Sequence, residues 1–139
     1  MNPLEVESAT RAYLDALQSI GASVQVHGSV SAEDMDLDQQ AVVVQLENAE
    51  HRGSRAWVGT LSVTVRSPAS IVSLSDHSAL VAAVVAALRD RAALVLSFNA
   101  SASSVELAGV APINYGTPTF TDRAWVNVIN ADIGLYVTA

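Results

Sequence analysis

The sequence predicts an α+β domain: a mainly antiparallel sheet with two helices packed on one face, in the order αβββαβββ. Three observations predict it. Two stretches, residues 4–20 and 76–91, repeat apolar residues every three or four positions, as an amphipathic helix does. Several others alternate apolar and polar residues, as a strand with one wet face does. Their order groups strands in runs rather than alternating them singly with helices, which favours antiparallel pairing over a doubly wound parallel sheet.

In the first helix Val6, Thr10, Tyr13, Leu17 and Ile20 share one face, Pro3 suits the first turn, and Gly21 suits a left-handed stop. The stretch ASVQVHGSV alternates Val24, Val26 and Val30 with polar partners and reads as a strand. Residues 31–40, SAEDMDLDQQ, form an acidic loop. After it AVVVQLE and AWVGTLSVTVR set Val42, Val44 and Leu46 against Trp57, Leu61, Val63 and Val65. The polar link NAEHRGSR joins them as a hairpin.

A serine-rich loop with Pro68 leads to the second helix, for which Ser75 or Asp76 is the expected cap. Leu80, Val81, Val84, Val85 and Leu88 form its wide apolar face, and its many alanines predict packing on more than one side. Alternation of Leu94, Leu96 and Phe98 then predicts a strand, VELAGV a weaker one, and Pro112, Gly116 and Pro118 a loop. The last strand carries Trp125, Ile129, Ile133, Leu135 and Val137 on one parity and Val126 and Val128 on the other, so its first half is expected to be buried on both faces. Tyr136, on the polar parity, is the aromatic expected at the surface, and Trp57 and Trp125 are expected in the core.

At 139 residues the chain suits one domain, 1–139. Its composition excludes several functions. Only 15% of residues are charged, below the roughly one quarter of an average soluble domain, so a surface shared with other subunits is expected. A net charge of −7 argues against a face that neutralises phosphates. The absence of cysteine removes disulfides and thiolate chemistry. The N-terminal stretch lacks the pattern of a signal peptide, and the apolar run at residues 79–88 is shorter than the ~20 residues of a membrane span, so a cytoplasmic protein without a membrane partner is expected.

Motifs for catalysis are lacking. Glu33, Asp34, Asp36 and Asp38 begin like a calcium loop, but Gln39 stands where the turn glycine belongs and Gln45 where the closing glutamate belongs. A solvated acidic loop is expected. His27, His51 and His77 share no ligand spacing and read as surface or edge residues. No G-x-S-x-G elbow, S-x-x-K or glycine-rich phosphate loop occurs. No catalytic residue, cofactor or metal is therefore expected, and the protein is read as a non-enzyme.

The succession of an amphipathic helix, a short strand with an acidic loop, a hairpin ending VTVRSP, the helix HSALVAAVVAALRD and a long terminal strand resembles the tail terminator, or tail-completion, proteins of tailed bacteriophages. The resemblance covers nearly the whole chain and is most specific from Leu61 to Asp90. The chain departs from the family in its richness in alanine and valine, which leaves open which ring of the neck it forms.

The resemblance implies a homo-oligomeric ring, usually a hexamer, in the virion after assembly in the host cytoplasm. That ring would cap the tail tube protein, end its polymerisation and meet the head–tail connector and neck proteins, with a tail sheath as a further neighbour. DNA would pass through the lumen without specific binding. In such a ring Glu33, Asp34, Asp36 and Asp38 are expected to face the lumen, and Arg52, Arg55 and Tyr136 to serve interfaces, the terminal strand reaching a neighbouring subunit. The alternatives are a small α+β ligand-binding domain or enzyme with a pocket on the sheet, or another neck or tail-tube protein.

Overall fold

A computed structural model describes residues 1–138. The fold is α+β. It contains helices α1 (Pro3–Asp15), α2 (Leu74–Arg89) and α3 (Arg91–Ser101) and strands β1 (Gln25–Gly28), β2 (Ala41–His51), β3 (Ala56–Pro68), β4 (Val105–Tyr115), β5 (Thr119–Thr121) and β6 (Ala124–Val137). The sheet order is β1-β2-β3-β6-β4, with β5 also paired to β6. Among the described residues only the β1–β2 pair is parallel.

Register fixes the two faces. Val44 pairs with Val63 and Val63 with Ile129, while Leu46, Leu61 and Ala131 line up in the next row. Those rows face the helices, and the buried apolar side chains of sheet and helices form one continuous cluster. On the opposite face Val43, Thr64 and Val128 make one row and Gln45, Ser62 and Asn130 the next. No helix covers this face among the described residues.

The stretch expected as a strand at Leu94, Leu96 and Phe98 is helix α3, so three helices pack on the sheet instead of two. Leu94 and Phe98, four apart, are each 1% exposed, whereas Leu96 between them is 75% exposed. A period of two and a period of 3.6 coincide over so few positions, and the cap decides: the Asp90 side chain accepts from the Ala93 backbone N–H at 3.3 Å. The short β5 went unpredicted. β4 runs to Tyr115, so the expected loop shrinks to its Gly116–Pro118 end.

Other boundaries shift for local reasons. Asn2 caps α1, which ends at Asp15; Gly21, at φ +95°, turns the chain beyond a further irregular turn. Ser73, not Ser75 or Asp76, caps α2 by accepting from the Asp76 N–H. Ala82 and Ala86 are exposed, so within this chain α2 buries one side. Val128 is 45% exposed, so the first half of β6 is buried on one face only. Trp57 and Trp125 are half-buried at the margin of the core.

Candidate functional site

The residues singled out from sequence fall at opposite ends of the sheet. At one end, the β2–β3 hairpin carries Arg52 and Arg55, both exposed. A bulge between Glu47 and Glu50, with Asn48 at φ +53°, reshapes β2 just before the turn. Arg52 pairs with Glu50 at 3.4 Å in the open. The terminal strand is pinned here: the Val137 N–H donates to the Arg55 carbonyl at 2.9 Å, and Tyr136 lies opposite Ala56. Tyr136 is 47% exposed on the bare sheet face, so the structure brings it beside the arginine-bearing hairpin.

At the other end, where β2 and β6 begin and β3 finishes, lies the acidic segment. Glu33 and Asp34 sit in a short 3-10 turn, and Asp36 and Asp38 follow in the loop before β2. Gln25 holds this loop with both atoms of its amide: its Oε1 accepts from the Asp36 N–H at 3.0 Å, and its Nε2 donates to the Asp36 carbonyl at 2.5 Å. The Arg66 guanidinium donates to the Leu37 carbonyl at 3.1 Å. All four acids are exposed, and among the described residues no three carboxylates or imidazoles converge as a metal ion requires. Exposed Leu37, Ile71, Leu74 and Phe120 surround this end, with Phe120 edge-on to Trp125 at 5.1 Å.

Sequence reasoning missed the buried polar groups between these ends. His77, read as a surface or edge histidine, is fully buried. Its Nδ1 meets Ser67 Oγ at 2.7 Å and its Nε2 meets Asn127 Oδ1 at 2.8 Å; Gln40 Nε2 donates to the same Ser67 Oγ at 3.0 Å, and Asn127 Nδ2 donates to the Gly116 carbonyl at 2.8 Å. A nucleophile must reach its substrate. Ser67 has no exposed surface, so this serine–histidine–asparagine set is a sealed structural network. The helix period of His77 with Leu80, Val81 and Val84 was the available signal.

Two glutamates on α1 act as clasps. Glu7, 5% exposed, accepts from the Ser29 N–H and hydroxyl and from the Leu46 N–H, at 2.9 to 3.0 Å. A Cβ at Gly28 would stand 3.3 Å from Glu7 Oε1, so this close approach favours glycine. Glu5 accepts from the Ser103 and Ser104 N–H groups at 2.6 and 2.7 Å and from the Ser104 hydroxyl at 2.5 Å. The Ser104 hydroxyl above all, then its backbone N–H, holds the Glu5 carboxyl below the ordinary carboxylate range. Tyr13 donates to the Ala87 carbonyl at 2.6 Å, and burial, with help from Asp90, pushes its phenol upward.

Concave surfaces are modest. A shallow groove of about 570 Å³ runs between α3 and β4, lined by Ala92, Val95, Leu96 and Ala108 with Arg91 and Asn99 at its polar positions. A smaller cleft of about 210 Å³ beside α1 contains Glu7, Arg11 and Ser29. The groove sets no nucleophile beside a base; in the cleft the Ser29 hydroxyl does donate to Glu7, but that carboxylate also accepts from the Ser29 and Leu46 N–H groups as part of the clasp. Among the described residues no helix is long and apolar enough to cross a membrane.

No protein-family model matches the chain, and no curated protein matches it. Among the solved structures similar to the chain, one is alike over 98% of this chain and 92% of its own, at 17% identity and a TM-score of 0.47. A likeness that slight carries no argument about function.

Proposed function

We propose that the protein is a structural component of the tailed-phage neck, a ring-forming tail terminator that caps the tail tube and joins it to the head connector. The observation that carries this reading is the bare sheet: among the described residues one face has no covering layer, and the sheet ends in two edge strands, β4 and β1, the latter with its Val26 carbonyl and Gly28 N–H bonded to the Arg11 and Ser31 side chains. Edge strands and uncovered faces are the means by which strand proteins join neighbours. The sparse charge and the exposed Leu37, Ile71, Leu96 and Phe120 support the same reading.

In this ring, subunits meet head to tail, since only a heterologous contact that closes by rotation gives a ring of more than two. The hairpin arginines Arg52 and Arg55 and the neighbouring Tyr136 form one contact region. The acidic residues Glu33, Asp34, Asp36 and Asp38, at the far end of the sheet, face the lumen and repel passing DNA. A ring structure with that loop on its outer rim overturns the lumen assignment.

The deciding experiment is the mass of the purified protein across a concentration series, with negative-stain images of any large species and a capping assay on purified tail tubes. Rings of about six subunits that stop tube growth are the expected result. A protein that neither forms rings nor binds tube ends overturns the proposal. The α3–β4 groove is the observation that favours the alternative, a small ligand-binding domain. That reading predicts ligand-dependent stabilisation lost on Leu96→Asp.

A further inference from the structure

The buried polar chain at the β2-start end is directional, and its direction is fixed from the backbone. The Gly116 carbonyl can only accept, so the Asn127 amide must turn its Nδ2 toward it and its Oδ1 toward His77. Oδ1 can only accept, so His77 Nε2 carries the hydrogen. In the neutral ring Nδ1 is then an acceptor, and the Ser67 hydroxyl must point its hydrogen at it. The lone pairs left on Ser67 Oγ face Gln40 Nε2, which donates to them. Every buried member is satisfied by this one arrangement, and reversing any link sets two donors or two acceptors against each other.

The chain of bonds crosses from one loop to another. Gln40 closes the acidic loop where it enters β2; Ser67 ends β3; His77 lies in the first turn of α2; Asn127 is on β6; and Gly116 lies in the loop between β4 and β5. Beside its last link is a cleft of about 170 Å³ between α2 and that loop, bordered by Ser78, Ala82, Tyr115 and Pro118 as well as Gly116 and Asn127.

We infer that the Gln40–Ser67–His77–Asn127–Gly116 relay is a coupling device, through which a change at the β4–β5 loop alters how firmly the acidic loop is held. The physical basis is the histidine tautomer. When Asn127 moves away, or when loss of the Gly116 carbonyl frees its amide to turn, the Nε2 hydrogen loses its Oδ1 acceptor and the ring is free to place its hydrogen on Nδ1. Nδ1–H then donates to Ser67, the Ser67 hydroxyl hydrogen is left to find a new acceptor, and the fixed geometry that received Gln40 is gone. Hydrogen bonds in such a network support one another, so the two ends are not independent even though Gln40 and Asn127 do not touch. The coupling is a property of the single chain and does not depend on ring formation.

Two measurements test it. Nitrogen-15 NMR of the histidine rings in the intact protein, at about pH 8, reads the tautomer directly. His77 is expected with hydrogen on Nε2 and a bare Nδ1; hydrogen on Nδ1 overturns the inference without recourse to any variant. A double-mutant cycle on Gln40→Ala and Asn127→Ala, read by urea unfolding, then measures the coupling. The combined loss in the unfolding equilibrium is expected to fall short of the product of the single losses by about twofold or more, the lower edge for residues sharing a network. Strict additivity overturns the device. Gln40→Ala alone is also expected to speed amide exchange around Gly116, and unchanged exchange there counts against it.

Discussion

The two ends of the sheet are held by different physics. The β2-start end is locked from within: His77 and Ser67 have no exposed surface, and the two bonds that His77 makes, to Ser67 and to Asn127, are buried. The hairpin end is held from without. Its only side-chain ion pair among the described residues, Arg52–Glu50, is exposed, strand pairing fixes Val137 to Arg55, and the nearby clasp from α1 to the start of β4 is the charged Glu5 carboxylate. A buried, hydrogen-bonded network costs much to break and resists changes in salt. An exposed or ionised one costs little and answers to the solution.

The largest expected effect breaks the locked end. His77→Ala removes a buried ring and leaves Ser67 and Asn127 each short of one hydrogen-bond partner, and should lower unfolding stability by about 3–5 kcal/mol in urea titrations. A loss below about 1 kcal/mol would mean that the network is solvated in solution.

Next comes acid at the hairpin end. The Glu5 carboxyl is depressed in the folded protein, so its clasp contributes fully above the ordinary glutamate value of about 4.3 and is lost as pH falls through the lower folded value. Amides of Ser103 and Ser104 should lose exchange protection in that window. Glu5→Gln should flatten the pH dependence there, and an unchanged acid profile would remove Glu5 from the account.

A smaller effect lies between the ends. Tyr13→Phe deletes the bond to Ala87 and should cost about 1 kcal/mol. Because the Tyr13 phenol is raised, that contribution is complete below the ordinary tyrosine value of about 10 and disappears as pH rises through the folded value. The variant should therefore converge with the parent in alkaline unfolding curves.

The smallest effect sharpens the contrast. Arg52→Ala with Arg55→Ala should change monomer stability by no more than about 0.5 kcal/mol, since the one ion pair lost is exposed. Under the ring proposal the same pair should abolish ring formation and tube capping. Intact rings would remove both arginines from the interface.

Much of this architecture was legible in the residues. The amphipathic period of Val6, Thr10 and Tyr13, the polar hairpin link and the alternation of β3 and β6 each follow from local geometry that needs no neighbours. Tyr136 was placed at the surface by parity alone. The register of Trp57 opposite Leu135 and of Leu61 opposite Ala131 then joins those strands into a face. Three-dimensional packing decided the rest. Leu94 and Phe98 satisfy strand and helix periods equally, and only the cap at Asp90 and the surface beneath α3 separate the two. Ser67, His77 and Asn127 lie far apart in sequence, and a polar side chain carries no local sign that partners from other elements will meet it in the core. Sequence determined which segments could bury a face; the pairing of distant strands determined which polar groups were sealed beneath them, because burial and hydrogen-bond partnership belong to the assembled chain.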